Sequence, residues 1–389
     1  MRISKLCFCL ATPLLCLGLA GAETLTLKVL PLDARGIAEG LKPADWKVQI
    51  AGKGADVVSL RTPADVGKEG QRWAIVLLPV RDPDFRQVVL QSIATFMASL
   101  PPSDSALVVM RTAKGLECLT PGFTTRPSLW GKALTLAAGT WSGKLEGNPN
   151  ADFSLPPTPA NEPQEGMEAV NALLAGGLGR AMAREAQDSN SRRKSVIGDY
   201  AAEELGSMTK TVTAAMEEME KMARTLAKDA PGTQVVVVSR NEIDDLANPI
   251  WAQKVARMSA GGMKALGRNE VLGGRDVMNS RLQTELMIRD VTLARTAVKN
   301  TFAGLGLTLH SVGGIGESNT GPFGEAATAS GGNTFRLENE LPARLTQALN
   351  LWATRYELKV AVPAGISRPA AIKVETGRKD LKLFSPTLQ

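Results

Sequence analysis

Apolar residues form two different strand patterns in this chain, and that difference constrains the fold more than any other feature of the sequence. Residues 73–78 and 235–238 are continuous apolar runs, which are typical of parallel strands covered by helices on both faces. Near the two ends, apolar and polar residues alternate, as in half-exposed antiparallel strands. The alternating stretches are residues 25–29, 46–50, 356–362 and 372–374. The sequence therefore predicts an α/β core and a small antiparallel β unit made by both ends.

Between the ends, strand and helix patterns alternate along the chain. A helical stripe over residues 85–97 stops before Pro101, and a strand pattern follows at residues 106–110. This alternation predicts a doubly wound, mostly parallel α/β sheet with right-handed crossovers. We assign residues 23–70 to an N-terminal β segment, 71–352 to the α/β domain, and 353–389 to a C-terminal β segment that pairs with the first. Two helical insertions, at about 143–230 and 249–304, interrupt the α/β domain.

The first 22 residues have the pattern of a cleavable signal peptide. Arg2 and Lys5 precede an apolar stretch over residues 6–19, and small residues at 20–22 supply a peptidase site before Glu23. A membrane anchor is the alternative, but it needs about 20 apolar residues, and this stretch is shorter. We expect an exported protein, periplasmic or extracellular, with no membrane span in the mature chain. Cleavage would leave Cys118 as the one cysteine, so we expect no disulfide.

Composition argues against most catalytic chemistry. The chain has a single histidine, His310, so a histidine-based zinc cluster is excluded and a Ser/His/Asp triad has one candidate base. His310 alternates with leucines and is expected on a sheet face, while Cys118 is expected to be a small buried hydrophobe. The glycines at 313, 314 and 316 lack the spacing and following helix of a dinucleotide site. We therefore expect a non-enzymatic protein without a cofactor.

Charge is nearly balanced along the mature chain. Without Arg2 and Lys5, 43 basic residues stand against 39 acidic ones, and the two kinds are interleaved. Such interleaving does not indicate a nucleic-acid partner, and we expect a protein partner instead.

A methionine-rich amphipathic helix is predicted over residues 205–226. Its apolar face comprises Leu205, Met208, Val212, Met216, Met219, Met222 and Leu226. Such a face packs on the protein's own sheet or second insertion, or it pairs with another copy of the chain in a homo-oligomer. Methionine also makes the face adaptable, which leaves partner binding open.

Four stretches resemble the von Willebrand factor type A domains, in particular an exported bacterial branch in which terminal β segments flank the domain. Residues 41–46, LKPADW, resemble that branch's gL-x-x-x-D-F segment, and residues 100–109 resemble its l-x-p-x-D-x-v-a-l-v strand entry. Residues 328–335 resemble its a-x-x-T-G-G-x-x-f turn, and residues 355–360 resemble its closing Y-x-L-x-Y strand. The resemblance implies a type A fold and an adhesion or protein-interaction function.

The metal-binding motif of the resembled family is absent in its usual form. Type A domains hold a divalent cation with D-x-S-x-S after the first core strand, a later threonine, and an aspartate after the fourth strand. Here Pro79, Arg81 and Pro83 occupy the first motif, Arg240 replaces the aspartate, and Thr140 matches the threonine. Two arginines would repel a cation, so we expect a degenerate site without metal. We expect partner binding at this position, through Arg81, Asp82, Asp84, Thr140, Arg240 and Asn241, or alternatively at the insertion helices.

Three interpretations of the charged residues at this position remain open. Arg81 and Arg240 can bind an acidic group of a partner, or they can form internal salt bridges with neighbouring aspartates. The third is a displaced cation site, built from Asp82, Asp84, Glu242, Asp244 and Asp245. We expect an exported, non-enzymatic interaction protein of the cell envelope. The alternatives are metal-dependent adhesion and a self-assembling envelope component.

Overall fold

The computed structural model describes most of the predicted core and both β segments. The described residues are 23–66, 70–80, 83–141, 152–158, 200–239, 274–314, 323–336, 343, 345–347, 351 and 355–385. The predicted signal peptide, residues 1–22, and much of the two predicted insertions lie outside them. Among the helices in the described ranges, none combines the length and the apolar character that crossing a membrane requires.

The elements follow one another in this order along the chain. The strands are β1 (Thr24–Asp33), β2 (Gly36–Ile37), β3 (Trp46–Ile50), β4 (Lys53–Ala55), β5 (Val57–Arg61), β6 (Arg72–Leu77), β7 (Ser105–Thr112), β8 (Gly115–Cys118), β9 (Gln234–Val238), β10 (Thr308–Gly314), β11 (Thr334–Arg336), β12 (Tyr356–Ala361), β13 (Ile372–Thr376) and β14 (Lys382–Phe384). The helices are α1 (Pro63–Val66), α2 (Pro83–Ala98), α3 (Pro127–Thr140), α4 (Tyr200–Asp229), α5 (Gly274–Leu305) and α6 (Gly324–Ala329).

A six-stranded sheet lies at the centre of the α/β core, with strand order β11-β10-β9-β6-β7-β8. The first five of these strands are parallel neighbours, and β8 pairs antiparallel with β7. The continuous apolar runs predicted to be covered on both faces correspond to β6 and β9. β6 is buried from Trp73 to Leu77, and β9 is buried along its whole length. The prediction of a mostly parallel α/β sheet is confirmed.

Helices cover both faces of this sheet, which makes it doubly wound. Trp73, Ile75 and Leu77 pack with the buried side chains of α2 and α3 on one face. Ala74 and Val76, which point the other way, pack with α4 and α5. Because successive side chains of a strand alternate between faces, a strand buried on both sides needs an uninterrupted apolar run.

The methionine-rich stripe belongs to the core of the chain itself. Met216, Met219, Met222 and Leu226 of α4 are at most 1% exposed and lie in the same cluster as Phe302 of α5. Internal packing, the first alternative for this helix, is therefore what the described part of the stripe shows. Pairing with another copy of the chain through these four side chains would require them to leave the core.

Strands from the two ends of the chain pair with each other. β1 lies antiparallel between β12 and β14, with Leu27 opposite Leu358 and Leu30 opposite Phe384. The first sheet has the order β14-β1-β12-β5, with β2 joined to β1, and a second sheet has the order β13-β3-β4. Their apolar faces enclose a separate core around Trp46. The hydroxyl of Tyr356 donates to the Ala38 carbonyl at 2.9 Å and fixes the β1–β3 connection to β12.

Candidate functional site

The carboxyl edge of the parallel sheet has a topological switch point between β6 and β9. The strand that follows β6 lies on one side of this pair, and the strand that follows β9 lies on the other. Leu77 is paired with Val238, and the Leu78 amide donates to the Val238 carbonyl at 3.0 Å. The chain therefore leaves both strands from one place, where doubly wound sheets bind ligands.

The predicted binding residues follow these two strand ends. Arg81 comes four residues after Leu77, and Arg240 comes two residues after Val238. Arg81, Asp82, Arg240 and Asn241 lie outside the described residues. Asp84 is in the first turn of α2, and its side chain is outside the description.

Thr140, the remaining candidate, ends α3 beside this edge. Its exposed hydroxyl donates to the Leu136 carbonyl at 2.7 Å and lies 3.9 Å from the sulfur of Met110 in β7. The indole N–H of the next residue, Trp141, donates to the Leu78 carbonyl at 2.6 Å. These contacts fix the end of α3 against the chain leaving β6.

Close backbone packing shapes the floor of the switch point. Gly313 of β10 has φ +144°, and a Cβ there would lie 1.6 Å from the Ser239 carbonyl oxygen. Only glycine permits this approach of β10 to the end of β9. Arg86, buried in α2, donates to the Val80 carbonyl at 2.9 Å and holds the segment after β6. The first glycine of the 313–316 stretch therefore has a packing role.

A second polar site, not predicted from the sequence, lies at the opposite, amino edge of the sheet, where the β unit meets the core. Lys28 of β1 and Arg355, which precedes β12, are 1% and 0% exposed. Glu357 accepts a hydrogen bond from Arg61 at 2.8 Å. Its other carboxylate oxygen lies 3.7 Å from Arg355 and 4.0 Å from the Lys28 ammonium. Three cations thus surround one carboxylate.

Asp104 links this group to the first core strand. One carboxylate oxygen accepts a hydrogen bond from the backbone N–H of Gln71 at 2.8 Å, and the other accepts one from the indole N–H of Trp73 at 3.1 Å. Gln71 in turn accepts a hydrogen bond from Arg355 at 2.8 Å. Burial raises the pKa of Asp104, and these hydrogen bonds and the nearby cations oppose that rise.

Burial also dominates the protonation of the basic residues at this edge. The pKa of Lys28 is well below its usual range because the ammonium is desolvated, and Arg355 lowers it further. Desolvation lowers the pKa of Arg355 to about 9, although Glu357 acts in the other direction. The alternating pattern of β1 predicts half-exposed polar positions. Lys28 departs from this pattern because its side chain is buried between the β unit and the core.

The histidine and the cysteine have structural roles. His310 is buried, its Nε2 lies 2.9 Å from the Gln234 side-chain oxygen, and its Nδ1 accepts from the Asn333 amide. Burial lowers the pKa of His310 to about 3, so the ring is neutral at physiological pH. Burial raises the pKa of the Cys118 thiol to about 12, which leaves little thiolate. The predicted sheet position of His310 is confirmed.

Within the described ranges, no group of three or more His, Cys, Asp or Glu side chains is arranged to hold a metal ion. The side chains of the displaced cation site predicted as an alternative are not among those that the structure describes. Neither of the arginine interpretations that compete with it is tested by the described side chains.

No protein-family profile matches the chain, and no curated protein matches it. Among solved structures, it is similar to a von Willebrand factor type A protein from Catenulispora acidiphila, with 8% identity and a TM-score of 0.32 over 94% of this chain and 73% of the other. It is also similar to the N-terminal domain of TFIIH p34, with 10% identity and a TM-score of 0.24 over 72% of this chain and 96% of the other.

Proposed function

We propose that this chain is an exported, non-enzymatic binding protein that captures a protein partner of the cell envelope at the carboxyl edge of its parallel sheet. The observation that carries the proposal is the in-register end of β6 and β9 at the switch point. Two segments that contain arginines, 81–82 and 240–241, begin within a few residues of that point. Sheets of this topology bind their ligands there.

The chemistry of these segments favours an acidic partner group. A guanidinium is permanently charged and presents a planar set of donors that matches a carboxylate in bidentate geometry. Arg81 and Arg240 would supply the positive charge that a cation supplies in the type A domains this sequence resembles. Thr140, exposed at the end of α3, donates its hydroxyl proton to the Leu136 carbonyl, so its oxygen would contact a donor group beside the acidic one.

A binding function also agrees with how the chain uses its reactive side chains. Its one histidine has both ring nitrogens engaged inside the sheet. The Cys118 thiol is held in its protonated form. Neither group is arranged for general-base or nucleophilic catalysis, which needs an accessible group with a pKa near the working pH.

The proposal is tested by capture of envelope proteins with the purified chain. The double variant Arg81→Ala/Arg240→Ala is compared with Arg35→Ala/Arg378→Ala, which removes the same charge from exposed positions of the β unit. We expect the first variant to lose at least about tenfold in affinity for the captured partner, since buried charge-assisted pairs contribute that much. The control keeps wild-type affinity. Equal capture by both variants would refute recognition at the carboxyl edge.

Export is tested separately, by expression with the native N-terminus in a bacterial host and N-terminal sequencing of the product. We expect the mature protein to begin at Glu23 and to fractionate outside the cytoplasm. An uncleaved cytoplasmic product would refute export and leave the binding proposal to stand on the capture experiment.

A further inference from the structure

A polar cavity of about 270 Å³ opens at the amino edge, between the β unit and the α/β core. Its lining comes from distant parts of the chain: Lys28 of β1, Arg61 at the end of β5, Gly70 and Arg72 at the start of β6, Gly232 after α4, and Glu357 of β12. The cavity is remote from the switch point because it lies where the parallel strands begin. It plays no part in the proposed recognition of a protein partner.

Among the residues that the structure describes, basic side chains outnumber carboxylates around this cavity. The basic side chains are Lys28, Arg61, Arg72 and Arg355, and the carboxylates are Glu357 and Asp104. Glu357 already accepts a hydrogen bond from Arg61, and Asp104 is engaged by the Gln71 amide and the Trp73 indole. Among the described residues, an excess of basic side chains in a poorly solvated site favours the binding of an anion.

Lys28 is the residue whose environment most requires a ligand. Its side chain is 1% exposed and lines the cavity. Within the part of the chain that the structure describes, its ammonium has one ionic contact, with Glu357 at 4.0 Å, which is longer than a hydrogen bond. A buried ammonium is costly unless hydrogen-bond acceptors surround it. Acceptor oxygens of a ligand within the cavity would provide the hydrogen bonds that the N–H groups of Lys28 lack among the described residues.

Arg72 supplies a second group at the mouth of the cavity. It is exposed, and its guanidinium forms no ion pair or hydrogen bond with any other described residue. Gly232, in a turn with φ +78°, packs against the end of the Lys28 chain, where a Cβ would lie 3.5 Å from Cε. The Lys28 ammonium therefore lies beside the Gly232 turn, and Arg72 lines the same cavity.

We propose that this cavity binds a small tetrahedral oxyanion, inorganic phosphate or a phosphate monoester, between the Lys28 ammonium and the Arg61 and Arg72 guanidiniums. Several strong acceptor oxygens on one compact anion match donors that converge from three directions. The ligand would join β1 and β5 of the β unit to the start of β6, so its binding would stabilise the contact between the two parts of the molecule.

The first test is titration of the purified protein with sodium phosphate, glycerol phosphate, sulfate and chloride at matched ionic strength, followed by calorimetry and thermal unfolding. We expect saturable phosphate binding and an unfolding midpoint that rises with phosphate. Tighter binding of inorganic phosphate than of glycerol phosphate identifies the free anion as ligand, and the reverse order identifies a phosphate ester. Equal responses to all four salts would indicate general screening and would overturn the proposal.

The second test replaces the central cation with an unbranched apolar side chain that is one atom shorter. Lys28→Met is expected to lower phosphate affinity at least about tenfold, because an ionic hydrogen bond in a buried site contributes that much. Lys47→Met removes an exposed lysine of β3 and should keep wild-type affinity. Arg72→Ala changes an exposed residue that the fold does not require, so its weaker binding provides the test if Lys28→Met unfolds. Unchanged affinity in folded Lys28→Met, or in Arg72→Ala where Lys28→Met fails to fold, would overturn the proposal.

Discussion

The two edges of the parallel sheet are built in opposite ways. At the carboxyl edge, described side chains are mostly apolar or paired with backbone, as Trp141 is with Leu78, and the charged candidates follow single strands in sequence. At the amino edge, Lys28, Arg355 and Glu357 are buried beside the more exposed Arg61 and Arg72, and these charges come from β1, β5, the start of β6 and the start of β12. A site whose residues directly follow the ends of predicted strands can be recognised in a sequence, whereas one assembled from side chains within several strands cannot.

The buried charges on the two sides of the sheet also differ in how well they are matched. Arg111, near the end of β7, forms a two-point ion pair with Glu218 of α4, at 2.8 and 3.1 Å, and both side chains are at most 2% exposed. One cation thus meets one carboxylate in good geometry. At the amino edge, Lys28 and Arg355 share Glu357 with Arg61. Removal of one charge should therefore lower the free energy of unfolding at the Arg111–Glu218 pair and raise it at Lys28.

The largest expected effect is the loss of the matched pair. Glu218→Ala leaves the Arg111 guanidinium buried without its carboxylate, and we expect the free energy of unfolding to fall by about 3–5 kcal/mol. The double variant Arg111→Met/Glu218→Leu replaces the pair with apolar groups and should recover most of that loss. Urea denaturation measures both. A loss below about 1 kcal/mol in Glu218→Ala would mean that the pair is not the buried link between α4 and β7 that the distances indicate.

The next effect depends on pH and concerns His310, whose pKa is lowered by burial and then by Arg355 and Lys28. The folded pKa is about 3 and the unfolded value about 6.5, so between these pH values the unfolded state binds the extra proton. Stability is therefore lost as the pH falls through this window, by up to about 1.4 kcal/mol per pH unit. His310→Gln should remove this part of the acid sensitivity, measured as the slope of unfolding free energy against pH. An unchanged slope would contradict the neutral buried ring.

The sequence predicts the parts of this molecule in which local pattern and burial agree. The continuous apolar runs of β6 and β9 indicate parallel strands because both faces of the strand are covered, and the structure confirms this. The stripe of α4 indicates one buried face, although it does not say which surface covers it. Lys28 shows the limit: it occupies a polar position of an alternating strand, and nothing in β1 distinguishes it from a lysine in solvent. The charged groups that interact with it, Arg355 and Glu357, lie more than 300 residues away in the sequence.

A smaller effect, of opposite sign to the first, is expected from Lys28. Glu357 keeps Arg61 and Arg355 as partners when Lys28 is replaced, so Lys28→Met removes a poorly solvated charge without leaving another one unpaired. Without phosphate, we expect the free energy of unfolding to rise by about 1 kcal/mol near neutral pH. The gain should shrink as the pH rises toward about 10.4, because the lowered pKa of Lys28 makes the wild-type protein more stable as the unfolded lysine loses its proton.

Lys47→Met is the matched control for this stability measurement, since it makes the same substitution at an exposed position and should change stability by less than about 0.5 kcal/mol. Destabilisation by Lys28→Met at every pH would contradict an excess of positive charge at the amino edge. It would mean that the ammonium is well matched in the folded protein, and the contrast between the two edges would be lost.

The smallest expected effect is the change in the unfolding midpoint on addition of divalent cations. This measurement tests whether the carboxyl edge binds a metal ion. Arg81 and Arg240 follow the two strand ends at the switch point, and a cation placed between them would be repelled. We therefore expect magnesium, calcium and manganese at about 10 mM to shift the unfolding midpoint no more than a monovalent salt of equal ionic strength does.

Calorimetric titration of the wild type and of Asp82→Ala/Asp84→Ala should give the same absence of saturable heat. Saturable binding that disappears in the double variant would instead place a cation on those carboxylates, because a hard ion needs several convergent oxygens. In that case the carboxyl edge would bind its partner through a metal ion. Of the two edges, the amino edge alone would then bind an anion directly through basic side chains.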